Sequence, residues 1–331
     1  MSLPPRFWLR PDARFLPLLL TPLAKVVANC AAKRQQRAGW LAPIPVLCCG
    51  NLTTGGTGKT TVVLDLMTRL QAQDIDVHVL TRGYKGRLKG PVRVTPHHTA
   101  RDVGDEALLL AHQGPTWVGG DRAATAQAAV KSGAQCLIMD DGFQNPTLHK
   151  TLSLLVVDGA VGLGNGHVMP AGPLREGITA GLKSASAVLV IGKDQTGFLE
   201  RYADHLPPKS VYTATLETMV SDLLPNKAGP YIAFAGLGRP SKFFDGLRGA
   251  GIQVLKAIAF PDHYRYRSKD MKYLLSLAET HHAELVTTPK DAVRLPNWFR
   301  QRVKVVNVAL SWDDLSAPEN LLHTLMSKPR I

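Results

Sequence analysis

Residues 45–61 read PVLCCGNLTTGGTGKTT, and the order of residue types decides the fold class. A short apolar run, 46–49, feeds a glycine-rich turn that closes on Gly58-Lys59-Thr60 and opens into the helix-forming run VVLDLMTRL. Glycines let backbone N–H groups curl around a polyphosphate, and the following helix N-terminus adds favourable partial positive charge. Lysine at the end of the loop reaches the β- and γ-phosphates, and the next hydroxyl ligates Mg²⁺. The spacing G-x-x-x-x-G-K-[ST] places its first glycine at position 53, which is Thr53; Gly55 and Gly56 supply the flexibility instead.

Outward from the loop, 77–80 predicts a second strand ending in TRGYKG (81–86), followed by a Gly- and Lys-rich basic loop, 85–93. Asp105 and Glu106 fall at a helix start before an apolar run, and Asp121-Arg122 starts another helix. Residues 136–139 are four apolar residues running into Asp140-Asp141-Gly142, the Walker B layout in which an acid at the strand's carboxyl end anchors Mg²⁺. With further strands at 152–157 and 187–191, the alternation predicts a doubly wound α/β parallel sheet whose ligand sits at the carboxyl ends of the strands. A second α/β rhythm follows: strand 231–235, helix 241–250, strand 253–258, helix 269–281, strand 284–286 and a last strand, 303–308. The expected organisation is an N-terminal segment 1–38, a phosphate-loop core 39–208, a linker 209–228 around two proline-rich stretches, and a smaller α/β lobe 229–331.

At 331 residues the chain is long enough for two such bodies. The four cysteines have no metal-ligand spacing, and three sit in apolar runs, the pattern of reduced core residues. A net charge of +13 and a pI near 9.7 imply an anionic partner: nucleic acid, a phosphorylated substrate or an acidic membrane surface. The first forty residues interleave Phe7, Trp8, Phe15, Leu16 and Leu23 with Arg6, Arg10, Arg14, Lys25, Lys33, Arg34 and Arg37. The uncharged stretch 15–24 spans ten residues and contains Pro17 and Pro22, which argues against a transmembrane helix. An amphipathic segment lying in the membrane interface, with apolar and Trp groups inward, is the expectation.

Phosphoryl transfer needs a phosphate cradle, a metal, a group to handle the acceptor proton and positive charge for the transition state. The chain offers the cradle 55–60, the acids Glu106 and Asp140 or Asp141, the adjacent Asp105 and a histidine in FPDHYRY (260–266). Arg82, Arg122 and Arg175, each flanked by glycine, aspartate or proline, supply candidate cations.

Taken together, an ordered series of motifs resembles the tetraacyldisaccharide 4′-kinase family. It runs from Phe7-Trp8 through GNLTTGGTGKT (50–60), TRGYKG (81–86), GDEALLLA (104–111), DDGFQ (140–144), NGHVMPAGPLRE (165–176), AFAGLGRPSKFF (233–244), FPDHYRY (260–266) and TTPKDAVRL (287–295). DDGFQ combined with PAGPLRE is specific to that family, whose loop also carries Thr or Ser at the place of Thr53. The resemblance implies ATP- and Mg²⁺-dependent phosphorylation of the 4′-hydroxyl of a tetraacylated glucosamine disaccharide 1-phosphate, giving lipid IVA. It also implies a bilobal protein with its site in the cleft, associated peripherally or monotopically with the anionic cytoplasmic face of the inner membrane. No nucleic acid or obligate protein partner is expected. The implied ATP contacts are Thr53, Thr54, Gly55, Gly56, Thr57, Gly58, Lys59, Thr60 and Thr61. Thr60, Glu106 and Asp140 support the metal, Asp105 and His263 form the proton-handling pair with Lys59 also catalytic, and Arg82, Arg122, Asp141, Gln144 and Arg175 contact substrate or phosphate. Two departures stand out: Asn145 replaces a histidine after DDGFQ, and Pro289 replaces a glutamate in TTEKD. A ParA/MinD-like switch requires lysine before the double glycine, where Thr54 stands, and a GTPase requires an N-K-x-D motif that is not evident.

Overall fold

The computed structural model describes residues 5–10, 13, 15–36, 38–208, 210–221 and 230–327. Among them thirteen strands are formed: β1 (Val46–Gly50), β2 (Val77–Thr81), β3 (Val92–Arg93), β4 (Thr116–Val118), β5 (Cys136–Asp140), β6 (Leu152–Asp158), β7 (Ala187–Ile191), β8 (Val211–Thr218), β9 (Tyr231–Ala235), β10 (Val254–Ala259), β11 (Glu284–Thr287), β12 (Val303–Val305) and β13 (Val308–Trp312). Nine build one sheet in the order β13-β8-β7-β6-β1-β5-β2-β4-β3, and four build a second in the order β10-β9-β11-β12. The second sheet is parallel throughout, and the first is parallel except for its two edge pairs, β13 with β8 and β3 with β4.

Strands β1, β2, β5, β6 and β7 are buried at every position, as parallel strands covered on both faces must be. Helix Lys59–Gln71 covers one face through Val62, Val63, Leu66, Met67 and Leu70. Helix Arg122–Lys131 lies on the other, its N-terminus capped by the Asp121 carboxylate, which accepts from the amides of Ala123 and Ala124. Burial drives the thiols of Cys48 and Cys136 up to about 11 and 12, so these are unreactive packing groups.

The expected unit boundaries differ from the observed sheets in two places. Residues 211–218 of the expected linker are β8, hydrogen-bonded to β7 in the first sheet; residues 209 and 222–228 lie outside the described residues. The expected final strand, 303–308, splits into β12 in the second sheet and the start of β13 in the first. The reason is packing: Leu310 and Trp312 of β13 and Leu321, Leu322 and Leu325 of helix Ala317–Ser327 bury against the apolar face of helix Lys59–Gln71. Trp312 Nε1 also donates to Asp65 Oδ2 of that helix at 2.9 Å. The second sheet is therefore an excursion, 231–305, from a chain that starts and ends in the first body.

The N-terminal segment departs from expectation too. Phe15–Gln35 is one unbroken helix of 21 residues that runs through both prolines and is long and apolar enough to cross a membrane by length and composition. Pro17 sits in its first turn, where no intrahelical donor is lost. Only Pro17 and Ala24 are buried, while Phe15, Leu18, Leu19, Leu23 and Val26 are exposed. Trp8 does not join that apolar surface: its Nε1 donates to the Pro170 carbonyl at 3.0 Å, and its own carbonyl accepts from the Asn165 amide at 2.8 Å. Arg14 and Arg37 lie outside the described residues.

Candidate active site

The turn after β1 stands at the carboxyl edge of the first sheet. Gly58 is left-handed, with φ +89°, and caps helix Lys59–Gln71; a side chain there would press on Ile191. Gly55, at φ +120°, and Gly56 face open space. The loop is braced from outside: Thr53 bridges to Leu174, the Thr54 amide donates to the Pro173 carbonyl at 2.8 Å, and the Arg175 amide donates to the Leu52 carbonyl at 2.8 Å. The PAGPLRE segment thus holds the loop open. Thr60 and Thr61 lie half-buried in the first turn of the helix, where the Thr61 amide donates to the Gly58 carbonyl at 3.0 Å. The hydroxyls of Thr54 and Thr57 are buried and have no partner among the described residues.

Lys59 Nζ donates to Asn51 Oδ1 at 2.9 Å and lies 3.4 Å from Asp141 Oδ1. Asp141, in a left-handed conformation at φ 56°, also takes Arg175 Nη1 at 2.8 Å. Burial raises the Asp141 carboxyl, but Lys59 and Arg175 outweigh it and hold it below the ordinary value. Gln144 donates to the Asn51 carbonyl at 2.9 Å and to Glu176 Oε1 at 2.7 Å.

Asp140, the last residue of β5, is 2% exposed, and its Oδ1 has no partner among the described residues. Burial, with Glu106 and Asp141 nearby, pushes its carboxyl up to about 7. An orphaned buried acceptor crowded by carboxylates is a place where a divalent cation relieves a standing cost. Thr60, Glu106 and Asp140 are all oxygen donors, which fits Mg²⁺. Among the described residues no three His, Cys, Asp or Glu side chains group as a metal cage.

Asp105 opens helix Asp105–Ala111, and Glu106 follows it. Asp105 receives His263 Nδ1 at 2.8 and 3.0 Å on its two oxygens, and Arg294 Nε lies 3.6 Å away. Burial raises the Asp105 carboxyl, but His263, Lys290 and Arg294 outweigh it, and the net shift is downward. His263 is held at φ 58° with its amide on the Gly236 carbonyl, and its ring packs edge-on against Tyr84 at 5.3 Å. The two sheets thus meet at this pair.

Two expected cations are placed differently. Arg122 is 3% exposed and donates to the carbonyls of Thr81 and Gly119, so it braces the strand ends. Arg82 is exposed and makes no side-chain hydrogen bond or ion pair among the described residues. Asn145, in place of histidine, accepts from the amide and hydroxyl of Thr147, a turn-closing role. Pro289 sits at the first position of helix Pro289–Ala292, capped by Thr288, where a missing donor is harmless.

Several groups escaped the sequence reading. Asn51 holds Lys59, and Glu176, 2% exposed, anchors Gln144 and receives Gln35 from the N-terminal helix. Lys290 Nζ binds Glu106 Oε1 at 2.9 Å; burial lowers its pKa, but Glu106, Asp105 and Asp262 outweigh that and raise it. Asp291, fully buried, gathers the Gly236 amide, the Tyr266 hydroxyl, Arg294 and the Thr288 hydroxyl, which positions Arg294 toward Asp105.

The family model for tetraacyldisaccharide-1-P 4'-kinase matches residues 16–327. Proteins named tetraacyldisaccharide 4'-kinase from Gluconacetobacter diazotrophicus and Gluconobacter oxydans are 52% and 48% identical, each over 98% of both chains. Among solved structures, LpxK from Aquifex aeolicus in complex with ATP is 25% identical, with a TM-score of 0.76 over 94% of this chain and 100% of that one. The chain belongs to the tetraacyldisaccharide-1-P 4'-kinase family.

Proposed function

We propose that this chain transfers the γ-phosphoryl group of ATP to the 4′-hydroxyl of a tetraacylated glucosamine disaccharide 1-phosphate, forming lipid IVA in lipid A biosynthesis. One observation carries the reading. The Asp105–His263 pair, closed at 2.8 Å, stands beside the acids that face the phosphate cradle. Within the loop 53–61, residues 55–60 cradle the polyphosphate through backbone N–H groups, and Lys59 follows the transferred charge from its seat on Asn51. Thr60, Glu106 and Asp140 would hold Mg²⁺, which would supply charge screening for the polyphosphate. The Asp105–His263 pair receives the hydroxyl proton and aligns the oxygen for in-line attack. Gln144 and Arg175 line the acceptor side and keep Asp141 and the loop in register. Labelled ATP with the disaccharide 1-phosphate should give labelled glycolipid, with little ATP turnover in its absence. ATP turnover driven by DNA or bare liposomes, with no labelled glycolipid, would refute the kinase reading.

Helix Phe15–Gln35, with its apolar side chains exposed and Lys25, Lys33 and Arg34 along it, supports monotopic or peripheral attachment to the anionic cytoplasmic face of the inner membrane. Deleting residues 1–30 should move the folded protein from the membrane fraction to the soluble one. Unchanged co-sedimentation with anionic vesicles would assign the attachment elsewhere.

A further inference from the structure

Asp158 ends β6 at the carboxyl edge of the first sheet and is 3% exposed. Its Oδ1 accepts from the Ala160 amide at 3.1 Å. Its Oδ2 accepts from Arg239 Nη2 and from Lys242 Nζ, the latter at 2.7 Å. Both cations come from the connection after β9 of the second sheet: Arg239 is the N-cap residue of helix Pro240–Gly249, and Lys242 lies in its first turn. Arg239 Nη2 also reaches the carbonyl of Gly56 at 3.4 Å, at the crown of the phosphate loop where a Cβ would meet nothing.

One carboxylate oxygen therefore carries two cations. The cluster keeps a net positive charge and most of the guanidinium's five donors beside a cradle for a polyphosphate. The carboxylate is fixed at the end of a central strand, whereas the side chains of Arg239 and Lys242 are 36% and 48% exposed and have room to move. A contact that only tied the two bodies together would be neutral with one cation. The second cation, the contact with Gly56 and the helix N-terminus aimed at the same edge all favour an anionic ligand.

On the reading that the loop binds ATP, we infer that Arg239 and Lys242 engage the terminal phosphate of the nucleotide, and that Asp158 stores them until it binds. The guanidinium grips two phosphate oxygens as a fork, and the ammonium follows as a point charge. Asp158 competes with the phosphate for the same donors, so nucleotide binding has to break its ion pairs. ADP lacks the group they reach.

The test is the dissociation constant of ATP and of ADP for the full chain, in wild type and in Arg239→Ala, Lys242→Ala and Asp158→Asn. Each cation variant should weaken ATP about fivefold to tenfold, the scale of a partly exposed charge-assisted hydrogen bond, and ADP less than about twofold. Asp158→Asn should tighten ATP, because the cations are no longer held away. If all three variants shift affinity in the same direction, or if ATP and ADP change alike, the cluster is a tie between the bodies and the inference is overturned. Should Asp158→Asn fail to fold, the ATP-to-ADP ratio of the solvent-facing Lys242→Ala decides alone. Failure of the wild type to bind ATP would instead overturn the nucleotide reading, so the two failures are distinguishable.

Discussion

Asp105 and Asp140 are equally removed from water, at 4% and 2% exposure, yet their surroundings drive them apart. Asp105 meets an imidazole and two cations, all supplied by the second sheet's connections, and its carboxyl is held down despite burial. Asp140 is buried beside two other carboxylates and has an oxygen with no partner among the described residues; burial and those carboxylates outweigh Lys59 and Arg122 and drive its carboxyl up to about 7. Burial raises both carboxyls, so the opposite direction of the two net shifts comes from the neighbouring charges. In the proposed mechanism the acid given positive partners stays ionised to work with a proton, and the acid given negative partners takes the cation. Lys59 lies between these regimes, drawn toward Asp141 and lowering both Asp140 and Asp141.

The largest expected effect tests the cradle that both acids serve. Lys59→Ala should cost about 3 kcal/mol or more of transition-state stabilisation, about a hundredfold or greater in kcat. Near-normal turnover by the folded variant would remove the phosphate-loop assignment and leave the contrast between the acids without a function.

Next is the unity of the Asp105 side. Asp105→Asn and His263→Ala should each lower kcat strongly with little change in ATP affinity, and the double variant should be barely worse than the poorer single, because residues acting as one unit lose activity non-additively. Additive losses would separate the pair into independent binding roles.

The smallest effect, and the one most specific to the comparison, is on stability against pH without divalent cations. Burial and the neighbouring carboxylates push the folded-state Asp140 carboxyl up to about 7, above its ordinary value of 3.8. Between those values the folded chain binds a proton that the unfolded chain has released, so its contribution to stability falls as pH rises through that window. For Asp105 the folded value is depressed: its contribution is present above the ordinary carboxylate range and is lost as pH falls through the folded value. Denaturant midpoints should therefore show Asp140→Asn gaining on wild type as pH rises from about 4 to about 7 and no further gain above that, and Asp105→Asn losing stability relative to wild type at about pH 8. Shifts of the same sign in both variants would break the contrast.

The first body was legible because its signals are local. The phosphate loop, the apolar run into Asp140 and the acids opening helix Asp105–Ala111 each lie within a few residues, and each type has a physical reason to be there. Strand β8 was hidden because its burial is patchy, so it lacks the continuous apolar signature of β6 or β7. The return of β13 was hidden because a hydrophobic run of three to six residues does not name the sheet it joins. Lys290–Glu106 and Arg239–Asp158 join residues 184 and 81 positions apart, and no spacing rule reaches that far. The pairing of Asp105 with His263, 158 positions apart, was available only from family resemblance. For Arg122 nothing in the sequence signals that it is buried on the Thr81 and Gly119 carbonyls while its charge also bears on Asp140 and Asp141.

The division of labour between the two acids is tested most directly by titrating Mg²⁺ against turnover in Asp105→Asn and Asp140→Asn side by side. The account predicts that Asp140→Asn raises the half-saturating Mg²⁺ concentration about tenfold or more, the scale of one lost charged partner. It predicts that Asp105→Asn leaves that concentration unchanged while kcat falls. A midpoint that moves with Asp105 and not with Asp140 would contradict it.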